Sequence, residues 1–444
     1  MRFCGLERGV LADEQVGRSA VRKASWRLIP LIALGYGTAF LDRANVSFAA
    51  LQMNRDLHFS ASVYGFAAGI FFVSYAICEV PSNLLLCRFG ARKWLSRILL
   101  TWGLLAMATM FVRTAHQFYV LRFLLGMAEA GFFPGVVYYL TQWFPPYMRA
   151  RVISRFYISF PISSAVMGAL AGWLLGLNGR LGLAGWQWLF LVEALPAVVL
   201  GVVFFLTLPD KPADAKWLTA EESTWLTRQI EEDAACAEHT TNVLRALLDK
   251  RVWAVAIVFL CMLSSAYAYI YFAPIVFVQL TGLSATAVGF LITGLSLLGA
   301  VGMLTFSMSS DRHRERYWHV IVPFLLWAAC FIVGGVSHLP WVAVVALGLG
   351  IVMETSLQGP LLTIPPQFLK GRTMAAGIAA MNTIGMMGGF IGPYVMGRVK
   401  EATGSYQTGY LIFAFPPLLA AGIVWWMRRG ALRAERRERE MVGV

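Results

Sequence analysis

Five ionisable side chains lie inside stretches otherwise suited to hydrocarbon: Asp42 and Arg43 in "FLDRANVSFA", Arg122 and Glu129 in "RFLLGMAEAGFFPG", and Glu354 in "GIVMETSLQGP". An ionised group at the centre of a membrane helix costs about 2.5–3.5 kcal/mol on insertion scales, so it faces a partner or a water-filled cavity. Two chemistries suit this set. A guanidinium binds a carboxylate through two parallel N–H bonds. A carboxyl in a poorly hydrated site beside arginines exchanges protons as its surroundings change.

The elements that must carry these groups follow from composition. Of 444 residues, 58% are hydrophobic and 14% charged, and the mean hydropathy is +0.64. A soluble domain has about 25% charged residues, whereas a membrane-crossing helix needs about 20 mostly apolar ones. Such segments run near 28–50, 63–84, 95–112, 117–140, 153–176 and 187–208, then near 252–278, 287–309, 319–336, 342–364, 374–396 and 408–427. The chain therefore reads as an all-α, polytopic membrane protein with twelve transmembrane helices. The plan is an N-tail (1–27), a six-helix bundle (28–208), a polar linker (209–251), a second six-helix bundle (252–427) and a basic C-tail (428–444). The N-tail carries no cleavable signal pattern. Six scattered cysteines show no disulfide or metal-ligand spacing. No metal site, cofactor or enzyme activity is expected, since no nucleophile–base set stands out.

Charge placement orients the chain. Of the 37 Lys and Arg, 30 fall in the tails and the loops on their side. Five (Arg55, Arg113, Arg180, Arg398 and Lys400) fall opposite, and Arg43 and Arg122 lie within segments. That bias puts both termini in the cytoplasm. The net charge of +13 is then mostly topology and requires no nucleic-acid partner. The tail "RRGALRAERRERE" reads as an anchor at the anionic lipid surface. "LCRFGARK" follows the second segment and "SDRHRER" the eighth, so the halves echo each other. Many secondary transporters are built from such repeats, with a binding site near mid-membrane between them. No Walker motif points to ATP.

Depth suggests partners. Counted outward from Leu28 at about 1.5 Å per residue, Asp42 lies about 21 Å along its helix, roughly 10 Å from the outer face of a ~30 Å core. Arg122, counted inward from Gln117, lies about 8 Å from that face. An Asp42–Arg122 charge pair is expected, either as part of the transport chemistry or as a fixed interhelical bond. Adjacent helical residues point about 100° apart, which turns Arg43 toward a central cavity and a substrate carboxylate. Glu129 shares the Arg122 face nearer mid-membrane, making Asp42 and Glu129 the proton-coupling candidates. Tyr267 and Tyr271 share a face at i, i+4 and are candidates for binding hydroxyls or carboxylate. Glu354 is a further candidate, for substrate hydroxyls or a second proton. Glu79 and Glu193, near segment ends, read as braces for loops or helix ends.

The two basic loops resemble the loop motif of the major facilitator superfamily, with Cys87 standing where the first copy there has Asp. "FLDRANVSFA", "GIFFVSYAICEVPSNLLLCRFGARKW", "RFLLGMAEAGFFPGVVYYLTQWFPPYMRAR", "GWQWLFLVEALPA", "LPDKPADAKWLTAEE" and "AAGIAAMNTIGMMGGFIGP" are similar to the anion:cation symporter family within it. The likeness is to the bacterial branch of tartrate, phthalate, sugar-acid and hydroxyphenylacetate permeases, and covers nearly the whole chain. The resemblance implies proton-driven uptake of an organic anion. It implies acids at Asp42 and Glu129, the Arg43 guanidinium beside substrate and a substrate contact at Tyr75; Asn382 matches a polar position in the eleventh segment and is a candidate for binding hydroxyls or carboxylate. Phe40 stands where a tyrosine is often found.

The expected function is import of a small organic carboxylate (a hydroxy acid such as tartrate, a sugar acid or an aromatic carboxylate) by proton symport and alternating access. The proton gradient is the driving force, and the expected form is a functional monomer, multi-pass in the bacterial cytoplasmic (inner) membrane. Organophosphate:phosphate exchange fits less well, because the second-half segments hold no mid-span Arg or Lys. Proton-coupled efflux on the same fold and a sensor without net transport stay open.

Overall fold

The computed structural model describes residues 3–145, 148–149, 152–153, 156, 159–237, 249–369 and 371–442. Among them every regular element is a helix. The first half comprises α1 (Phe3–Asp56), α2 (Ala61–Phe89), α3 (Ala91–Ala108), α4 (Ala115–Glu129), α5 (Phe132–Thr141), α6 (Ser159–Leu175) and α7 (Gly185–Thr207). The linker holds α8 (Ala220–Ala237), and its residues 238–248 lie outside the described set. The second half comprises α9 (Lys250–Thr281), α10 (Ala285–His313), α11 (Trp318–Val336), α12 (Pro340–Leu362), α13 (Gly371–Thr403), α14 (Tyr406–Phe413) and α15 (Phe415–Val442). Ten of the twelve expected segments coincide with helical stretches long and apolar enough to cross a membrane. The other two, 153–176 and 374–396, fall on α6 and α13.

The borders expected at residues 28 and 428 fall inside continuous helices. At 54 residues, α1 is about 80 Å long at 1.5 Å per residue, far beyond a ~30 Å hydrocarbon core. Its polar first part is held by α8. Lys23 Nζ lies 2.8 Å from Glu222 Oε2, Ser19 Oγ donates to Glu222 Oε1 at 2.7 Å, and Arg228 pairs with Asp13 at 3.1 Å. Burial alone would raise the Glu222 carboxyl, but hydrogen bonds from Lys23, the Thr219 N–H and Ser19 outweigh it and hold the pKa at about 2.

Two expected segments are broken. The segment 117–140 divides into α4 and α5 at Ala130–Gly131, where Gly131 has φ +86° and Ser82 packs against it. That left-handed backbone suits glycine, and a side chain there would meet the Ser82 hydroxyl. The last segment divides at Ala414, just before "FPP", because proline cannot donate the N–H that would continue the ladder.

The halves pack most extensively along two helix pairs. Helices α2 and α13 run antiparallel in one register, with Ala61 against Gly397, Gly65 against Pro393, Gly69 against Phe390 and Phe72 against Gly389. A Cβ on Gly65 would run into the Pro393 carbonyl, so backbone meets backbone there, as small residues permit in membranes. Helices α6 and α10 cross at Gly168–Gly289 and Gly172–Thr286. These crossings lie toward the ends where α2 and α10 begin, and Ser62 Oγ donates across the same end to Glu401.

Candidate functional site

The charged residues of the first half gather between α1, α2, α3 and α4. Arg43 leaves α1 toward Glu129 at the C-terminus of α4; its Nε donates to Glu129 Oε1 at 2.7 Å, and a terminal nitrogen lies 2.6 Å from the same oxygen. The break after Glu129 opens here, so the acid sits on the last turn of a helix rather than mid-ladder. The guanidinium lies 5.0 Å from the centre of the Tyr75 ring and 5.7 Å from that of Phe71. Tyr267 and Tyr36 complete the tyrosines around its charge. Glu129 Oε2 is buried and accepts no hydrogen bond from the described residues.

Asp42 points elsewhere, as the 100° turn between neighbours requires. Its Oδ2 accepts Trp102 Nε1–H of α3 at 2.8 Å, and its Oδ1 accepts Asn45 Nδ2–H at 3.0 Å. The expected Asp42–Arg122 charge pair is not formed, and this corrects the sequence reading. Arg122 instead lies over the Phe71 ring, 4.9 Å from its centre, and donates at 3.4 Å to the Tyr271 hydroxyl and to the Ala67 carbonyl. The ion pair of the site is Arg43–Glu129. Height along the helices is compatible with both pairings. Rotation about the α1 axis decides between them, and neutral donors from α3 and α1 already satisfy both Asp42 oxygens.

Phe71 stands between the two arginines, and Arg122 reaches α9 in the other half. Tyr64 of α2 also crosses, donating its O–H to the Tyr271 carbonyl at 2.8 Å. Tyr267 and Tyr271 share a face as expected, their ring centres 5.9 Å apart, and Tyr267 packs 4.4 Å from Phe72. Asn382 of α13 donates to Glu79 Oε1 of α2 at 3.1 Å. Glu79, expected as a brace near a segment end, is instead an inter-half contact. It lies four residues after Tyr75, on the same helical face, and that spacing could have revealed it.

Glu354 is 5% exposed and accepts from Gln358 at 2.8 Å and Thr355 at 3.3 Å. It borders a cavity shared by both halves, with Phe40 and Ser47 of α1, Met167 of α6, Tyr269 of α9 and Ser296 of α10 among its walls. Arg43 is not in that wall, although Phe40 and Ala44 are. The structure thus brings Arg43, Glu129, Tyr75 and Tyr267 together, sets Arg122 with Tyr271 beside them, and places Asn382 and Glu354 on the second-half side. Among the described residues no cluster of His, Cys, Asp and Glu could hold a metal ion.

Two helical halves meeting at glycine seams, with buried charges at their junction, define a membrane carrier of the secondary-transporter class. Residues 32–393 match the family model described as Major Facilitator Superfamily, and the chain belongs to that superfamily. It is a polytopic transporter, not an enzyme. A protein of Agrobacterium vitis provisionally named tartrate transporter is 44% identical over 421 residues, covering 94% of this chain and 93% of that protein. A "Quinolone resistance transporter" of Acinetobacter baumannii is 42% identical, covering 88% and 91%. RhmT, an inner membrane transport protein of Escherichia coli, is 36% identical over 92% of this chain and 95% of its own length. Among solved structures, an inward-facing bacterial homologue of the human lysosomal transporter Spinster superposes with a TM-score of 0.74 at 15% identity, covering 90% of this chain and 96% of that one. The inward-open xylose transporter XylE of E. coli gives 0.71, also at 15% identity, covering 90% and 96%. Those two likenesses concern the fold alone.

Proposed function

We propose that the protein imports a small organic carboxylate by proton symport across the bacterial cytoplasmic membrane, both termini lying inside. The Arg43–Glu129 ion pair carries the reading. A guanidinium engaged by an internal carboxylate is not free for a substrate carboxylate, and protonating Glu129 removes the competing charge. Substrate then pairs with Arg43, with the Tyr75 and Tyr267 rings as walls and hydroxyl donors. When substrate leaves, Glu129 gives up its proton and returns to Arg43, resetting the empty carrier. Asp42 is a second proton candidate. Asn382 and Glu354 offer polar contacts from the other half, and Tyr271 holds Arg122 in place. The likeness to a provisionally named tartrate transporter favours a hydroxy acid. No cofactor beyond the proton gradient is required, and one chain contains both halves of the site.

Efflux by proton antiport is the second reading, favoured by the relative named for quinolone resistance. Organophosphate exchange lacks a mid-span Arg or Lys in the second half. One experiment separates these. Purified protein in liposomes is given tartrate, sugar acids, aromatic carboxylates, a quinolone and inorganic phosphate under imposed proton or sodium gradients. An inward proton gradient is expected to drive accumulation of one carboxylate. Arg43→Lys, which loses the planar two-pronged donor, should cut uptake about tenfold or more. Accumulation indifferent to the proton gradient would end the symport reading, and quinolone export or phosphate-driven exchange would install an alternative.

A further inference from the structure

The end of the second half where α9 begins carries a crevice of about 1300 Å³, walled by the start of α9, the turn between α10 and α11, the residues after α12, and α15. Seven cations line it against two carboxylates, Asp249 and Glu315. Three of the cations are paired: Arg251 with Asp249 at 2.7 Å, Arg428 with Glu315 at 3.5 Å, and Arg316 with Asp311. The other four, Lys250, Arg314, Arg429 and Arg433, have no ion pair among the described residues. Aromatic rings hold two of these instead. Arg429 lies over Trp425, 3.6 Å from the ring centre, and the Lys250 ammonium lies 5.8 Å from that of Trp426. A ring face fixes a cation without cancelling its charge, so the crevice keeps its positive excess for an anion from outside the chain.

An apolar groove continues from the crevice. Phe415, Leu418, Leu419, Gly422, Ile423 and Trp426 recur at three and four along one face of α15 and line it. From Phe415 to Trp426 it runs about 16 Å at 1.5 Å per residue. A Cβ on Gly422 would meet nothing within 4 Å, so the groove is notched near its middle. Trp426 walls both the groove and the crevice. It is 47% exposed and, with Trp425, stands between the apolar run of α15 and its arginines. Tryptophans on membrane proteins gather at the level of the lipid head groups. Positive charge, an aromatic border and an apolar channel thus follow one another in the order of a phospholipid's own parts.

We propose that crevice and groove form one binding site for an anionic phospholipid, its phosphates against Lys250, Arg314 and Arg429 and an acyl chain along α15 past Gly422. Four cations without an internal partner suit a head group with two phosphates, as in cardiolipin. Basic pockets between membrane helices bind such head groups. A free phosphate would meet the same cations but leave the groove empty. Because the wall joins α9, the α10–α11 turn and α15, a lipid seated there ties three elements of the second half together. The site lies apart from the Arg43 cluster and does not depend on which solute is carried or what drives it.

Native mass spectrometry of the purified full-length protein tests it, with cardiolipin, phosphatidylglycerol, phosphatidylcholine and inorganic pyrophosphate as probes. Cardiolipin should bind about tenfold or more tightly than phosphatidylcholine and should dissociate as salt is raised. Lys250→Gln/Arg429→Gln should lose about tenfold or more of that affinity. Arg88→Gln/Lys93→Gln, which removes the same charge from the first half at the same end, should lose none. Gly422→Trp, which fills the groove and leaves the crevice cations in place, should weaken cardiolipin several-fold, and pyrophosphate should compete poorly. If the Lys250/Arg429 variant lost no more than the Arg88/Lys93 variant, the affinity would be diffuse attraction to a basic surface and the proposal would fall. Pyrophosphate competing as well as cardiolipin itself, with Gly422→Trp unaffected, would make the crevice a site for soluble phosphates and overturn it equally.

Discussion

Arg43 has two suitors, and the competition between them is the coupling device proposed for this protein. Glu129→Gln imitates the protonated acid permanently. Charge-assisted hydrogen bonds contribute about 1.5–3 kcal/mol, so releasing Arg43 from Glu129 should tighten substrate binding about tenfold or more and make it independent of pH. Exchange of labelled for unlabelled substrate should persist, while accumulation driven by a proton gradient should vanish. Counterflow and gradient-driven uptake measured on the same liposomes separate the two; a Gln variant that still accumulates substrate rules the mechanism out. Each residue of this cluster is visible in the sequence as a charge or tyrosine where hydrocarbon is expected. Their partners are not. A residue's depth follows from counting, but which way α1 is turned depends on Trp102 packing against Asp42, a contact between segments that no spacing within either one announces. Glu193, expected as a brace near a segment end but only 2% exposed, escapes the sequence for a related reason: closeness to a segment's start looks like closeness to the surface, yet α7 packs against α1 and α3.

At the scale of elements, apolar segments are legible and their ends are not. The polar run after Asp13 continues α1 because α8 covers it, and the break at Gly131 depends on Ser82 of a different helix. Recruitment across elements also explains the first basic loop. Cys87 stands where the loop resemblance leads one to expect Asp, and Asp210 of the linker accepts the Arg92 N–H at 2.8 Å at the start of α3. In the second loop the Asp is present and Asp311 pairs with Arg316. The α1–α8 clasp gives the prediction at this scale. The Glu222 carboxyl, held at about 2, sits below its ordinary value of about 4.3. Its stabilisation is therefore complete above that ordinary value and is lost as pH falls through about 2. Glu222→Gln should raise amide hydrogen exchange in residues 13–27 and in α8 at neutral pH, with no change in the two bundles. Wild type should keep its protection down to mildly acid conditions. Equal exchange in wild type and variant would show that the clasp is not held by this carboxyl.

For the whole molecule, the inter-half crossings have a direction. Gly65–Pro393, Gly168–Gly289 and Ser62–Glu401 all lie toward the end where α2 and α10 begin, the outer end if the charge bias sets orientation. Backbones packed this closely leave no path for a solute at that end. The sequence shows two halves and their glycines, but which glycines meet across the halves depends on how separate segments are placed against each other, and neither segment encodes that alone. If transport requires these seams to part, pinning them should stop it. Ser62 and Glu401 touch across the seam, and both are near its end, where cysteines disturb little packing. In the Ser62→Cys/Glu401→Cys protein, a short reducible thiol-to-thiol cross-linker should join α2 to α13 and abolish uptake, and a reducing agent should restore it. A protein carrying only one of the two substitutions should transport throughout. Substrate binding from the unsealed side should survive cross-linking, because Arg43 and Tyr75 do not move with the bond. A cross-linked carrier that still cycles at the rate of the reduced one would mean that the halves move about some other line, and that these glycine crossings are permanent joints.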